Sequence, residues 1–162
     1  MKIIYLHGLD GQPNEEKMQL LRDAGHDVTA PQIEYRTYEG DIKLFNDLAE
    51  MIKKGDYELI IGSSMGGYFG FYLSEFCRVP AVLFNPALHS RTLEVPVERN
   101  YTDTKKYLLL GREDYVIPPD KTRAMLNTLD ISNTVVAELE MGHEVPVDMF
   151  KFALDYIEQV VK

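Results

Sequence analysis

Leu59-Ile60-Ile61-Gly62-Ser63-Ser64-Met65-Gly66-Gly67-Tyr68-Phe69-Gly70-Phe71-Tyr72-Leu73 is the stretch on which the reading of this chain turns. A short apolar run meets a turn bounded by glycines, and a second apolar stretch follows. That is a strand, a tight turn and a helix, with Ser64 at the tip of a G-x-S-x-G turn. The glycines let the chain turn where a Cβ would clash. The helix start behind Ser64 offers backbone N–H groups without intrahelical partners, suited to a developing oxyanion. A serine so placed calls for a base, an orienting acid and a second oxyanion donor from elsewhere in the chain.

Working outward, β-rich runs alternate with helical patterns. Ile3–Leu6, Asp27–Ala30, Leu59–Ile61, Ala81–Phe84, Tyr107–Leu110 and Thr134–Leu139 read as six strands, and their near-continuous apolar character indicates cover on both faces, as in a parallel sheet. Helices are expected over Glu15–Ala24 (Met18, Leu20 and Leu21 inward, Gly25 as stop) and Asp41–Lys54 (Ile42, Phe45, Leu48, Ala49 and Ile52 inward, closed by Gly55). A third runs from the elbow to about Phe76, a fourth follows Pro118-Pro119-Asp120, and a last covers Val147–Val161 with Phe150, Leu154, Ile157 and Val161 on one face. This alternation predicts an α/β protein, a three-layer α/β/α sandwich around a mostly parallel six-stranded sheet. The least regular connection, Asn85 to Lys105, contains Pro86 and Pro96 and is the natural place for a wall of a cleft.

The 162 residues suit one domain over 1–162, with no separate cap. A formal net charge of -9 argues against nucleic acid or an anionic membrane surface as partner. The single cysteine, Cys77, excludes an internal disulfide and reads as a packed, inert thiol in a reducing compartment. No signal peptide or membrane-length apolar run is visible, so the expectation is a cytoplasmic protein.

Of the four histidines, only His143, in Met141-Gly142-His143-Glu144, directly follows the last strand, on the rim that also carries the elbow. His143 is the candidate base. The fifth strand ends in Gly111-Arg112-Glu113-Asp114, and Asp114 is the candidate orienting acid, with Glu113 as competitor. The Met65 N–H and the Leu9 N–H, the latter in the His7-Gly8-Leu9-Asp10-Gly11 loop, are the candidate oxyanion donors. Gly8 lets that loop approach, and the His7 ring holds it in shape. His26 and His89 read as surface or loop residues, with His89 able to line the cleft. His7, Gly8, Asp10, Leu88 and His89 are the substrate-lining candidates, and Leu93 and Val95 are available for apolar contact. No cluster has metal-ligand spacing, and neither a P-loop nor a G-x-G-x-x-G follows a strand, so no metal or cofactor is expected.

Ile4-Tyr5-Leu6-His7-Gly8-Leu9, Gly62-Ser63-Ser64-Met65-Gly66-Gly67-Tyr68 and Phe84-Asn85-Pro86-Ala87-Leu88 together resemble the α/β-hydrolase superfamily, and more closely the small YqiA-like esterases. The resemblance implies a minimal version of that fold, lacking its first two strands, with Ser64, Asp114 and His143 as triad in the superfamily's chain order. Leu9-Asp10-Gly11-Gln12-Pro13 departs from the small hydroxyl residues such esterases carry before the proline, and the acid loop follows the general superfamily pattern. The implied activity is hydrolysis of small or short-chain esters or thioesters through an acyl-serine. A peptidase, amidase or C–C hydrolase with the same triad, or an interaction module with an idle triad, are the alternatives.

Overall fold

The computed structural model describes residues 1–90, 104–129 and 133–161. Its elements are β1 Lys2–Leu6, α1 Glu15–Asp23, β2 Asp27–Thr29, α2 Asp41–Gly55, β3 Leu59–Ser63, α3 Met65–Cys77, β4 Ala81–Phe84, β5 Lys106–Gly111, α4 Pro119–Leu126, β6 Thr134–Leu139 and α5 Val147–Val161. The strands form one sheet in the order β2-β1-β3-β4-β5-β6. Every pairing among the described residues is parallel. The sheet is therefore fully rather than mostly parallel.

Side-chain alternation divides the core into two layers. Ile4, Leu6, Ile60, Leu83, Leu108 and Leu110 join α2 and α3 on one face, together with Leu126 of α4. Ile3, Tyr5, Ile61, Val82, Phe84, Tyr107 and Leu109 join α1 and α5 on the other. A sheet so covered leaves its inner strands β1, β3, β4 and β5 almost no polar face, which is why they read as apolar runs, while the edge strands β2 and β6 stay partly exposed. Because β1 leads to α1 on one face and β3 to α3 on the other, the chain diverges between the carboxyl ends of β1 and β3. A crevice opens at such a switch point.

The helices start and stop for local reasons. The Asn14 side chain caps α1, its oxygen accepting the Lys17 N–H at 3.0 Å. Past the end of α1, Gly25 takes φ +84°. At the end of α2 Gly55 stays helical, and the left-handed position falls to Asp56 at φ 51°. The predicted inward face of α2 is rotated: Ile42 is 54% exposed, and Leu44 joins Phe45, Leu48, Ala49 and Ile52 in the core. Leu44, Leu48 and Ile52 are spaced by four, so they share the face that Ile42 leaves. In α5, Ala153 is buried with Phe150 and Ile157, while Leu154 is only partly buried. Pro119 opens α4, where its missing N–H costs nothing. Among the described residues no helix is long and apolar enough to cross a membrane.

The two α2 side chains should separate cleanly in urea titrations. Leu44→Ala is expected to lose about 2–4 kcal/mol of unfolding free energy through its buried cavity. Ile42→Ala should stay within about 0.5 kcal/mol of the parent.

Candidate active site

Register decides which residues meet at the sheet edge. Leu6 pairs with Gly62, Ser63 with Phe84, Phe84 with Leu109, and Gly111 with Leu139. The loops leaving β1, β3, β4, β5 and β6 thus emerge side by side. They carry His7–Asp10, Ser64, Asn85, Asp114 and His143.

Ser64 stands at φ 53°, ψ -111°, a conformation that L residues rarely adopt. Its N–H donates to Phe84 O at 3.0 Å, and its carbonyl accepts from Tyr68 N at 2.9 Å and Ala87 N at 3.0 Å. The ladder to β4, the first turn of α3 and the turn after Asn85 therefore over-determine the strained residue, at a cost of order 1–3 kcal/mol. Glycine at 66 is a steric necessity, because a Cβ there would fall 2.0 Å from Leu6 O and 2.6 Å from His7 O. That contact seats the start of α3 against the end of β1.

His143 Nδ1 lies 2.9 Å from Asp114 Oδ2. A carboxylate can only accept, so Nδ1 carries the hydrogen, and in the neutral ring Nε2 has the lone pair. The Asp114 side chain is fully buried, that of His143 26% exposed. The buried carboxylate is sustained by its other oxygen, which accepts the Val116 N–H at 2.9 Å and the Ile117 N–H at 2.7 Å. Three donors on one carboxylate fix its orientation. Glu113, the competing acid, is exposed to solvent, with its N–H bonded to Met141 O.

The loop after β1 is braced from within. His7 is buried, its Nε2 accepting the Ile33 N–H at 2.8 Å, so Nδ1 donates to Gly8 O at 2.7 Å. Tyr35 OH donates to His7 O at 2.6 Å, and burial pushes its phenol well above the ordinary range, which keeps it a donor. A Cβ on Gly8 would lie 3.5 Å from Ser64 Cβ, an ordinary contact, so glycine here leaves space beside Ser64 rather than avoiding a collision. Neither the Leu9 N–H nor the Met65 N–H donates to an acceptor among the described residues.

Other candidates sit differently. Asp10 is exposed and held in a two-pronged ion pair by Arg36, at 2.6 and 2.7 Å. The guanidinium hydrogen bonds lower the Asp10 carboxyl below its usual range. Leu88 does not face a cleft: it is fully buried, in the core layer that includes Met65 and Ile117. His89 is half-buried, and its Nδ1 has no partner among the described residues. Burial, reinforced by Lys121 and opposed by Asp114, lowers its pKa, so the ring is neutral at neutral pH. Leu93, Val95 and most of the proposed 85–105 wall lie outside the described residues. Burial pushes the Cys77 thiol up to about 11, as an inert cysteine requires. His26, read as a surface or loop residue, lies in the loop between α1 and β2, with its side chain mostly buried and reaching Glu158 on α5 at 2.8 Å.

This architecture defines the class: the chain has the α/β-hydrolase fold. Paleococcus ferrophilus monoacylglycerol lipase superposes with a TM-score of 0.76 at 16% identity, covering 99% of this chain and 93% of that one. Mouse alpha/beta hydrolase domain-containing protein 10 superposes with a TM-score of 0.75 at 12% identity, over 99% and 90%. The chain belongs to the uncharacterised protein family UPF0227, whose sequence model matches residues 2–115. A UPF0227 protein of Vibrio parahaemolyticus is 35% identical over 94 residues, 54% of this chain and 51% of that protein, so the chain spans about half the length of that relative. One from Vibrio campbellii is 30% identical over 149 residues, 77% of this chain and 82% of that one.

The strain at position 64 is measurable without any substrate. Ser64→Gly should unfold at higher denaturant than Ser64→Ala, by up to about 1 kcal/mol, because glycine alone adopts this conformation freely. Equal midpoints would deny the strain.

Proposed function

We propose that this protein is a serine hydrolase of small or short-chain acyl esters or thioesters. The observation that carries the reading is the buried Asp114 carboxylate that fixes the His143 tautomer, on the same sheet edge as the strained Ser64 turn. The lipase and hydrolase-domain neighbours share this fold and so add plausibility to the class, not to the substrate.

In this mechanism Ser64 Oγ attacks the acyl carbon while its proton passes to His143 Nε2. The new Oγ–C bond pushes the carbonyl electrons onto oxygen, and the Leu9 and Met65 N–H groups stabilise that oxyanion. Collapse restores the carbonyl and breaks the bond to the leaving group, which takes the proton from Nε2. Water, deprotonated by the same nitrogen, then attacks the acyl-serine, and collapse returns the proton to Ser64 Oγ as the acid departs. Asp114 stays ionised throughout and stabilises the imidazolium. The proposed mechanism uses no metal or cofactor, its partner is the small-molecule substrate rather than nucleic acid or a membrane, and the proposed compartment is the cytoplasm.

A fluorophosphonate probe tests the class directly. Folded wild type should be labelled once, on Ser64, and Ser64→Ala not at all; equal labelling of both would sink the reading. Asp114→Ala should reduce turnover by about 10³–10⁴-fold, and Glu113→Ala by less than about threefold, with the reverse ranking overturning the acid assignment. His143→Ala should reduce turnover by about 10³–10⁴-fold, since the Ser64 proton then has no imidazole to take it. An undiminished rate would remove His143 from the role of base.

A further inference from the structure

Asn85 follows β4 directly and is 1% exposed. Its backbone lies at φ 44°, left-handed and uncommon for any residue but glycine, with asparagine among the better tolerated. Both side-chain N–H donors and the side-chain oxygen are engaged within the protein. Nδ2 donates to Gly142 O and to His143 O, both at 3.0 Å, and Oδ1 accepts the Gly111 N–H at 2.7 Å. A backbone N–H can only donate and the two carbonyls only accept, so the partners themselves fix the orientation of the amide. The Asn85 N–H in turn donates to Leu109 O at 3.0 Å.

These bonds add a third strand's anchor to two loops that already meet through the Glu113 N–H to Met141 O bond and the His143–Asp114 contact. Gly111 ends β5 and accepts the Asp114 N–H at 3.2 Å, so it starts the turn that presents the acid. Gly142 and His143 form the turn that presents the base. Asn85 thus reaches from the end of β4 across the end of β5 to the loop after β6. The crossing is tight: a Cβ on Gly111 would fall 2.5 Å from both Gly142 O and Met141 O. With no side chain at 111, the Met141–His143 turn lies directly on the end of β5, within reach of the Asn85 amide.

From this geometry we infer that Asn85 is a positioning residue of the acid–base pair, helping to set the 2.9 Å His143–Asp114 bond by holding the His143 carbonyl and the Gly111 N–H, where the Asp114 turn begins, on one amide. The inference rests on the serine hydrolase reading for its kinetic consequence, but not for its structural one. A residue that merely filled the space would be replaceable by its isostere. Aspartate at 85 keeps the shape and the acceptor for Gly111, yet turns an oxygen toward two carbonyl oxygens and so releases the base turn.

Asn85→Asp provides the test, with melting curves to establish that the variant folds. In proton NMR, the hydrogen-bonded His143 Nδ1 proton of wild type, assigned by its loss in Asp114→Ala, should move markedly upfield or exchange away. With an aryl ester, kcat should fall by about tenfold or more while KM changes by less than about twofold. In the Asp114→Ala background the same substitution should cost less than about threefold, because it acts through a pair already broken. Asn85→Ser, shorter and uncharged, is read the same way and serves where the aspartate variant does not fold. An unchanged Nδ1 resonance in a folded variant, an undiminished kcat, or full additivity with Asp114→Ala would overturn the inference while leaving Ser64 labelling intact. A wild type that neither turns over ester nor takes the probe would instead overturn the hydrolase reading, with the resonance still reporting on the clamp.

Discussion

Parallel pairing sets Leu6 beside Gly62, Ser63 beside Phe84, Phe84 beside Leu109 and Gly111 beside Leu139. The site hangs from those four pairs. A slip of one residue anywhere along them would invert the two core layers, because the side-chain period is two. The apolar residues that hold the register, such as Ile4, Ile61, Leu83 and Leu108, are essentially inaccessible to solvent. Burial of those side chains is therefore what fixes five loop origins along one edge, and the polar groups at the edge are consequences of it.

The polar groups then solve two problems of their own. A carboxylate buried as fully as Asp114 is costly unless its oxygens are satisfied, and two backbone N–H groups plus an imidazole satisfy it. A serine in a strained turn persists only where its surroundings hold it, and here β4, α3 and the Ala87 N–H each do so. The loop after β1 is held by His7, Tyr35 and Ile33 in the same manner. Each is a case of a local conformation stabilised by hydrogen bonds from a different element, which is how a fold of this small size can keep the edge rigid without a cap in the described residues.

Much of this was legible from residue order. Among the described residues, the six strands and five helices are where the apolar runs and turn residues placed them, to within one or two residues, since strand length and covering of the inner strands on both faces leave a strong imprint. Asp114 and His143 could be proposed because, once a sheet is parallel, strand ends share a rim. What stayed hidden depends on orientation. Ile42 and Leu44 are equally apolar, and only packing against the sheet decides which one turns inward. Leu88 after Asn-Pro-Ala looks the same whether it lines a cleft or fills a core. Asn85 reads as a common turn residue, and nothing in its neighbours signals that its amide spans β5 to the loop after β6. The steric reason for Gly111 is equally silent, because the carbonyls it makes room for lie about thirty residues away in sequence.

The central claim is a covalent step at Ser64, and the most direct measurement is to catch it. Wild type mixed with an excess of an activated aryl acetate, quenched in acid during turnover and digested, should give the Ser64 peptide carrying one acetyl group by mass spectrometry. The label should vanish in Ser64→Ala and be chased off by water in unquenched enzyme. Ester turnover with Ser64 unmodified, and undiminished in Ser64→Ala, would contradict the account.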